Sequence, residues 1–583
     1  MEPQPQAPSE AEPAAASPRL PVWLPAALAA LLAPGFLVEV KDYDVWWHMA
    51  TGRWIVAHGR IPTTDPFTYT MAGKPWHLVN GLADLVFYGV YRLGAAPGLV
   101  LLKAGCAFLT LTLIGLCLRE VRVSRGGLVG LVIAVAVLLQ GRYTLDRPMI
   151  MGAALLAASQ LAALRSHRRH DRSHLFFLVA LPLWPLVHAT ALLGVVQLGA
   201  LLAAALLAGS RWGPIPRPPR RHLRSVAATF AACVAISAAL PWWRDAVSVA
   251  TALTGGATAT LFTAEWSTGA EEVGARVGHW ALIAVALAGG IRRVREDASL
   301  LLLSLVAAVI SFRFARNAYE GVILAAPACA CALEDAAGWL RASRREVFAA
   351  ALVPVAAMAM AVAQFAAAPL RTIGGPFGFG VDERKLPFDT LVTLRKLPVH
   401  RLFNGFPIGG FLIWQDQPYG VYCDGRTVAL YTEEDVQRLF VPMIDDGAAL
   451  TRTADAWDAV YGLNESLSPP NQWMMISPDW VPLHLGLGTA LFVRATHLGE
   501  LPAGVRPLHL LRFSGDERWT AGWYEHIVKD PGLRAQLTEE FAVAVGLSPG
   551  SPTLVDILRA IAAHDRAFAA ALAGTLERAR AGT

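Results

Sequence analysis

The feature that most constrains this chain is a series of apolar segments in its first two thirds. A helix of about 20 apolar residues crosses the roughly 30 Å hydrocarbon core of a bilayer. About eleven segments approach or reach that length, some of them short or interrupted by Pro, at 21–40, 98–118, 126–141, 149–164, 175–188, 190–209, 226–240, 279–291, 298–312, 318–334 and 347–366. Because backbone polar groups inside a bilayer must be satisfied within the structure, these segments predict a multi-pass α-helical membrane protein.

The composition supports this prediction and divides the chain. Hydrophobic residues make up 55% of the 583 residues and charged residues only 16%, whereas about 25% of the residues in a typical soluble domain are charged. The apolar excess ends near Phe365, and the remainder has the mixed composition of a globular domain. We therefore predict a disordered cytoplasmic tail at 1–19, a transmembrane bundle at 20–368 and a C-terminal soluble α/β domain at 369–583.

Arginine clusters between the apolar segments indicate the topology. They occur in alternate short loops, as expected on the cytoplasmic side, at Arg119, Arg122 and Arg125, at Arg165, Arg168, Arg169 and Arg172, at Arg211, Arg217, Arg220, Arg221 and Arg224, at Arg292, Arg293 and Arg295, and at Arg341, Arg344 and Arg345. An odd number of crossings then places the C-terminal domain on the extracytoplasmic side. Since these clusters account for the net charge of +5 without one continuous basic surface, we predict no nucleic-acid partner.

Two of the predicted extracytoplasmic loops are too long to be simple connections. The first, at 41–97, is rich in Trp, Phe and Tyr, a composition typical of helices that lie at the membrane interface. The second, at 241–278, begins Pro-Trp-Trp-Arg and contains Glu265 and Trp266. Because functional sites are commonly found on structured loops, we expect the chemistry on this face of the bundle.

The C-terminal domain has the alternating pattern of an α/β fold. We predict a helix at 432–440 and strands at 410–414, 420–423, 473–476 and 490–493. Beyond a Pro/Gly turn at 548–552, apolar residues between Leu554 and Leu572 recur at near-helical spacing. This spacing predicts a terminal amphipathic helix.

The most informative segment, Lys41-Asp-Tyr-Asp-Val-Trp-Trp-His, directly follows the first apolar run. It places Asp42 and Asp44 beside aromatic rings at the membrane surface. A carboxylate that is partly desolvated there can act as a general base, and the two together could bind a divalent cation such as Mg²⁺ or Mn²⁺. The alternative is that both are solvated charges that mark a helix end.

The first long loop resembles a known superfamily. It is similar to the start of the first extracytoplasmic loop in bacterial GT-C glycosyltransferases at Asp42-x-Asp44-x-Trp-Trp-His48, at Thr51-Gly52 and at Gly59-Arg-Ile-Pro-Thr-Thr-Asp-Pro-Phe67. Further similar positions are Arg147-Pro148, Leu183-Trp184, His188, Glu265-Trp266, Arg316-Asn317, Phe403-Asn404, Gly409 to Trp414 and Asp424-Gly-Arg426. The chain departs from the pattern at Pro185-Leu-Val-His188, where Asn-x-His is more usual, and at Pro241-Trp-Trp, where Asn-Pro is commoner.

The resemblance implies an enzyme of the bacterial inner membrane that takes a sugar from a polyprenyl-phosphate carrier in the lipid. In that superfamily, an acidic residue of the first loop deprotonates the acceptor, which attacks the anomeric carbon with inversion while the lipid phosphate leaves. Asp44 is the first choice for this base. Asp42 is the alternative, or a partner that orients the acceptor or holds a metal ion. The acceptor could be a glycan, a lipid or a protein.

A leaving lipid phosphate requires cationic donors near it. Arg142, Arg147 and Arg316 are the candidates for this role. Each could instead snorkel at a helix end or pair with a carboxylate such as Asp146.

Four other residues are candidates for substrate binding, namely His48, His188, Glu265 and Trp266. The histidines lack the close spacing of a zinc motif, which favours hydrogen bonding or aromatic packing over metal binding. The Glu-Trp pair could bind sugar hydroxyls, or it could be a helix cap beside an interfacial indole. The turn Asp424-Gly-Arg426 could pair internally or bind a ligand, and internal pairing is favoured.

Two other kinds of function compete with an enzyme. A non-catalytic scaffold subunit of an envelope assembly would tolerate replacement of Asp42 and Asp44. A transporter or flippase commonly has charged residues in the middle of its spans and paired broken helices. The predicted spans are nearly free of charge, which counts against ion coupling.

Overall fold

The computed structural model describes residues 20–143, 145–208, 217–255, 276–314, 317–342, 377–416 and 418–582, together with 352, 355, 356 and 359. The predicted tail at 1–19 and nearly all of the apolar segment at 347–366 lie outside the described residues. The predicted boundary at 368 lies there too, so the division into domains stays a prediction.

The first part of the chain is helical, because a helix satisfies its own backbone hydrogen bonds in apolar surroundings. Its helices are α1 (Trp23–Leu32), α2 (Asp44–His58), α3 (Gly81–Glu120), α4 (Arg125–Tyr143), α5 (Met149–Arg169), α6 (Phe176–Leu183), α7 (Ala191–Leu207), α8 (Arg220–Ala239), α9 (Pro241–Gly255), α10 (Val277–Arg293), α11 (Ala298–Arg313) and α12 (Ala318–Ala342).

Among the described residues, α3, α5, α8 and α12 are long and apolar enough to cross a membrane. Shorter apolar helices lie at Trp23–Phe36, Arg125–Leu139, Ser173–Leu186, Ala191–Leu207 and Ala298–Arg313. The chain is therefore a multi-pass helical membrane protein, and the number of eleven crossings stays a prediction. Helix α3 is broken at Ala95, whose φ of 48° is left-handed, two residues before Pro97. Its first part, at 81–94, belongs to the first long loop.

The C-terminal region, residues 377–582, contains one mixed sheet of five strands in the order β2-β1-β3-β5-β4. Strand β1 is parallel to β2 and β3, and β5 is antiparallel to β3 and β4. The strands are β1 (Arg401–Asn404), β2 (Gly420–Val421), β3 (Tyr461–Glu465), β4 (Trp480–Leu485) and β5 (Thr489–Arg494).

Helices surround this sheet and form the end of the chain. They are α13 (Phe388–Leu394), α14 (Gly409–Trp414), α15 (Glu433–Leu439), α16 (Val441–Asp445), α17 (Gly447–Ala456), α18 (Pro469–Ile476), α19 (Glu517–Lys529), α20 (Pro531–Leu547), α21 (Pro552–Ala562) and α22 (Arg566–Gly582). The predicted terminal amphipathic helix is thus two helices, α21 and α22.

Two of the predicted strands are wrong, and both are short buried helices. Residues 410–414 belong to α14 and residues 473–476 to α18. A short apolar run fits a buried strand and a buried helix equally well, so its pattern could not separate them. The predictions at 490–493 and 432–440 agree with β5 and α15, and α15 begins with a capping box between Thr432 and Asp435.

The C-terminal region packs directly on helix α2 of the first loop. The Trp46 ring meets the ring of Phe411 edge-on, with 5.0 Å between the ring centroids. Arg53 of α2 lies 4.9 Å from the ring of Trp414 and donates a hydrogen bond to the carbonyl oxygen of Ile413. One continuous apolar core therefore extends from the bundle through α2 into the C-terminal region.

Candidate active site

Asp42 and Asp44 lie where helix α2 begins. The Oδ1 atom of Asp42 accepts the backbone N–H of Asp44 at 2.9 Å, which satisfies one of the free amides at the helix start. The Asp42 side chain is only 1% exposed, whereas that of Asp44 is 21% exposed. The two carboxylates therefore differ in their access to a substrate.

Arg147 bridges both carboxylates from the segment that leads into α5. Its Nε donates to Oδ2 of Asp42 at 2.6 Å, and its Nη1 lies 3.3 Å from Oδ2 of Asp44. Guanidinium–carboxylate pairs of this kind fix geometry as well as charge. The pair brings together two motifs that are about 100 residues apart in the sequence.

A buried lysine holds the two segments that carry this bridge. Lys103 of α3 lies 3.0 Å from Oδ1 of Asp146, the residue before Arg147, and donates to the carbonyl oxygen of Val38 at 2.9 Å. Val38 precedes Asp42 by four residues. Lys103 was not predicted as a site residue, although a lone cation inside a long apolar run is the signal that could have revealed it.

A second ion cluster joins the first loop to the C-terminal region. Arg426 donates through Nε and Nη2 to both oxygens of Asp424, each at 2.7 Å, and its Nη1 lies 2.6 Å from Oδ1 of Asp65. All three side chains are fully buried. The guanidinium carbon also lies 4.5 Å from the centroid of the Trp76 ring. Asp424 and Arg426 pair as the internal-pairing interpretation predicts, and Asp65 is an additional partner.

Arg426 keeps its charge despite complete burial. Burial alone disfavours the charged guanidinium, but the negative charges of Asp424 and Asp65 outweigh it and raise the pKa of Arg426 above its ordinary value. Asp65 in turn accepts the backbone N–H of Phe67 at 2.9 Å and the hydroxyl hydrogen of Thr68. This cluster is therefore saturated with partners.

The turn between Asp424 and Arg426 forms one wall of the site around Asp44. A Cβ atom built on Gly425 would lie only 2.3 Å from Oδ1 of Asp44 and 3.4 Å from Nε1 of Trp47. A side chain at this position would displace the Asp44 carboxylate, so glycine lets Asp44 approach the turn this closely. The indole Nε1 of Trp47 is buried and has no hydrogen-bond partner among the described residues. A buried donor without a partner is unfavourable unless a ligand supplies the acceptor.

His48 lies on the other side of Asp44, facing α3. Its Nδ1 is 2.6 Å from Oδ1 of Asp84, and its ring packs against that of Trp47. Burial, and after it the electrostatic interactions with Arg147 and His188, lower the pKa of His48, which favours the neutral imidazole. These contacts correspond to the hydrogen-bonding and packing interpretation of His48.

His188 follows α6 and lies against the first turn of α5. A Cβ atom on Gly152 would be 2.9 Å from the Cβ of His188. The Nδ1 atom of His188 accepts the backbone N–H of Thr190 at 3.2 Å. The structure thus groups five predicted site residues, Asp42, Asp44, His48, Arg147 and His188.

Four other predicted site residues are not tested by the structure. The side chain of Arg142 and the residues Glu265, Trp266 and Arg316 all lie outside the described residues. The structure brings the other five together, and the roles of all nine in catalysis and binding stay predictions.

Binding of a divalent cation by Asp42 and Asp44 stays a prediction. Among them, no group of three His, Cys, Asp or Glu side chains is arranged to hold a metal ion. Asp42 and Asp44 share the guanidinium of Arg147, which places a positive charge where a Mg²⁺ or Mn²⁺ ion would need further oxygen ligands. We therefore derive the chemistry of this site from the carboxylates and the arginine.

The class of fold is shown by comparison with solved structures, and it is the fold of an archaeal membrane oligosaccharyltransferase. No family model matches the sequence, and no curated protein matches it. The chain is similar in structure to the archaeal oligosaccharyltransferase AglB from Archaeoglobus fulgidus, solved in complex with an inhibitory peptide and a dolichol-phosphate, with a TM-score of 0.55 and 13% identity. That match covers 85% of this chain and 76% of the archaeal chain.

A second solved structure supports the same assignment of fold. The apo form of the Archaeoglobus fulgidus oligosaccharyltransferase has a TM-score of 0.51 and 13% identity, with 83% of this chain and 76% of the archaeal chain covered. At this level of identity the two matches define the fold of the chain.

Proposed function

We propose that this protein is a membrane glycosyltransferase that transfers a sugar from a polyprenyl-phosphate-linked donor to an extracytoplasmic acceptor. The observation that carries the proposal is the group formed by Asp44, Arg147 and Trp47. It combines a partly exposed carboxylate, a guanidinium and a buried N–H donor without a partner among the described residues. These are the groups needed to accept a proton, to bind a phosphate and to orient a sugar.

Asp44 is better placed than Asp42 to act as the general base. Both oxygens of Asp42 are engaged, Oδ1 by the amide of Asp44 and Oδ2 by Nε of Arg147, and its side chain is buried. Asp44 is more exposed and lies at the contact with the Asp424-Gly-Arg426 turn. In this proposal Asp42 holds Arg147 and the helix start in position, and Asp44 takes the proton.

Binding of the donor phosphate to Arg147 would activate Asp44 as the base. A guanidinium paired with a carboxylate lowers the affinity of that carboxylate for protons. When the lipid phosphate binds to Arg147, its negative charge competes with Asp44 for the same guanidinium. Asp44 then becomes more basic at the moment when the donor is in place.

The chemical step is an inverting displacement at the anomeric carbon. The acceptor oxygen forms a bond to that carbon while its proton passes to Asp44. The bond between the carbon and the phosphate oxygen breaks, and the electron pair remains on the lipid phosphate beside Arg147. Lipid-phosphate recognition is consistent with the dolichol-phosphate in the archaeal complex.

The test is Asp44→Asn in purified protein, assayed for transfer from a panel of polyprenyl-phosphate sugars. We expect turnover to fall at least about 100-fold, because an amide cannot accept the proton. Asp416→Asn is the matched control, since Asp416 is 81% exposed at the surface of the C-terminal region. Unchanged turnover of Asp44→Asn would remove the proposed base and favour the scaffold function.

A further inference from the structure

An open cleft lies in the C-terminal region, between α15 and α17. Its volume is about 480 Å³, and Arg438, Arg452, Thr453 and Trp457 supply its polar and aromatic lining. The other described residues that line it are Pro442, Ala449 and Ala456. The described lining therefore contains two guanidinium groups and an indole, and no carboxylate.

Further charged side chains lie beside the cleft. The Nη2 atom of Arg438 is 3.2 Å from Oδ1 of Asp435, and the same oxygen is 2.7 Å from Nζ of Lys74. Asp435 is thus shared by two cations. Arg401 adds another cation, since its Nη1 donates to the carbonyl oxygen of Trp457 at 3.0 Å. Two cations, Arg438 and Arg452, line the cleft itself, and the carboxylates of Asp435 and Asp446 lie near it, the latter accepting the backbone N–H of Ala449 at 2.6 Å.

An aromatic path connects the cleft to the candidate active site. Trp457 is half-buried, and its ring is 5.8 Å from the ring of Tyr69 in the first loop. The backbone N–H of Tyr69 donates to the carbonyl oxygen of Val421 at 3.1 Å. Val421 precedes by three residues the turn that touches Asp44. Contacts between buried and half-buried residues thus join the cleft to the turn beside Asp44.

We infer that this cleft binds an anionic sugar unit of an acceptor glycan. The inference rests on the proposed function and narrows its acceptor to a glycan that carries carboxylate or phosphate groups. Guanidinium groups recognise such anions in a fixed geometry, and an aromatic face packs against the apolar face of a sugar ring. An acidic peptide fits less well, because the described lining is helical and offers no strand edge for the peptide backbone.

Direct binding to the full-length protein in detergent tests the inference without any donor. The probes are trigalacturonate for carboxylate sugars, glucose 6-phosphate for phosphate sugars, neutral maltotriose and a tetra-aspartate peptide. We expect at least one anionic sugar to bind and maltotriose and the peptide to bind at least about tenfold more weakly. Arg452→Gln should weaken the anionic sugar about tenfold, whereas Arg559→Gln, an exposed arginine on α21, should not.

Each other outcome overturns the inference. Equal binding of maltotriose would make the site a neutral-sugar site, and tighter binding of the peptide would make it a peptide site. If neither anionic sugar binds, the cleft does not bind an anionic sugar unit. The same conclusion follows if Arg559→Gln weakens binding as much as Arg452→Gln does. Because no step depends on sugar transfer, failure of Asp44 as the base leaves these results interpretable on their own.

Discussion

Two carboxylate–guanidinium groups lie at the contact between the first loop and the C-terminal region, and they differ in how far they are exposed to solvent. In the group formed by Asp65, Arg426 and Asp424, all three side chains are fully buried and the guanidinium uses three donors. In the group formed by Asp42, Asp44 and Arg147, Asp44 and Arg147 remain 21% and 24% exposed. A saturated buried cluster holds two parts of a molecule together, whereas an open one retains capacity for a ligand.

The same contrast distinguishes the two tryptophan donors of α2. Trp46 and Trp47 both have a buried Nε1 without a partner among the described residues. The ring of Trp46 packs into the apolar core against Phe411, whereas Nε1 of Trp47 lies beside the Asp44 contact. Only the second donor is near groups that can bind a polar substrate.

The largest predicted effect is on the buried cluster. Arg426→Met would leave Asp65 and Asp424 buried without a cation, and we expect it to lower the free energy of unfolding by about 3–5 kcal/mol. Thermal unfolding of the purified protein in detergent measures this loss. Arg559→Met is the control at an exposed arginine and should change stability by less than about 0.5 kcal/mol. Equal stability of both variants would contradict the structural role of the cluster.

Replacing Lys103 should cost less stability than replacing Arg426. Its variants test whether Lys103 only stabilises the fold or also supports activity. Lys103→Met leaves Asp146 buried beside the site, and we expect a loss of about 3 kcal/mol in stability. The double variant Lys103→Met with Asp146→Asn removes the buried charge and should recover most of that stability. Its kcat/KM should nevertheless stay about tenfold low, because the segments of Val38 and Arg147 are no longer held together. Full recovery of kcat/KM would reduce Lys103 to a purely structural residue.

Trp47→Phe tests whether the open group is a ligand site. The substitution removes the unpartnered N–H and also shrinks a buried ring, so it should lower stability about as much as the same change at Trp46 does. We expect kcat/KM to fall about tenfold, since a hydrogen bond to the substrate is lost. Trp46→Phe is the matched control and should lower the unfolding temperature more than it lowers kcat/KM. Equal effects of the two variants on kcat/KM would point to a general disturbance of α2.

Part of the candidate active site could be predicted from the sequence, because several of its residues lie in short motifs. Asp42, Asp44 and His48 lie within one short motif after an apolar run, and Arg147 lies in the Arg-Pro pair before another. No local pattern shows that Lys103 contacts both Val38 and Asp146. These contacts depend on how helices pack, which a single sequence does not specify.

The cluster of Asp65, Asp424 and Arg426 could not be predicted either, because Asp65 is far from the other two residues in the sequence. Asp65 and Arg426 are 361 residues apart. The turn Asp424-Gly-Arg426 suggested internal pairing, but its third partner comes from the first loop. The short apolar runs at 410–414 and 473–476 were assigned as strands for a related reason, since their burial is set by tertiary contacts and their length fits either element.

The smallest predicted effect concerns a third carboxylate, Asp389 of α13, which has no arginine partner among the described residues. Burial opposes its ionisation, but the nearby His484 ring, whose Nε2 lies 3.8 Å from Oδ2, and hydrogen bonds from the Ser548 hydroxyl and the Leu487 amide outweigh it and lower its pKa to about 2 from an ordinary value of 3.8. The folded state therefore favours the ionised form. This stabilisation is fully present above about pH 4 and is lost as the pH falls towards 2.

Asp389→Asn should therefore cost about 1 kcal/mol of stability at pH 6 and almost nothing near pH 2, after allowance for its partial exposure. Unfolding in denaturant at a series of pH values measures the difference between the variant and the parent protein. Because Asp389 does not contact Asp44 or Arg147 in the described structure, transfer activity at neutral pH should remain unchanged. A difference in stability that is constant with pH would mean that hydrogen-bond geometry, and not ionisation, accounts for the contribution of Asp389.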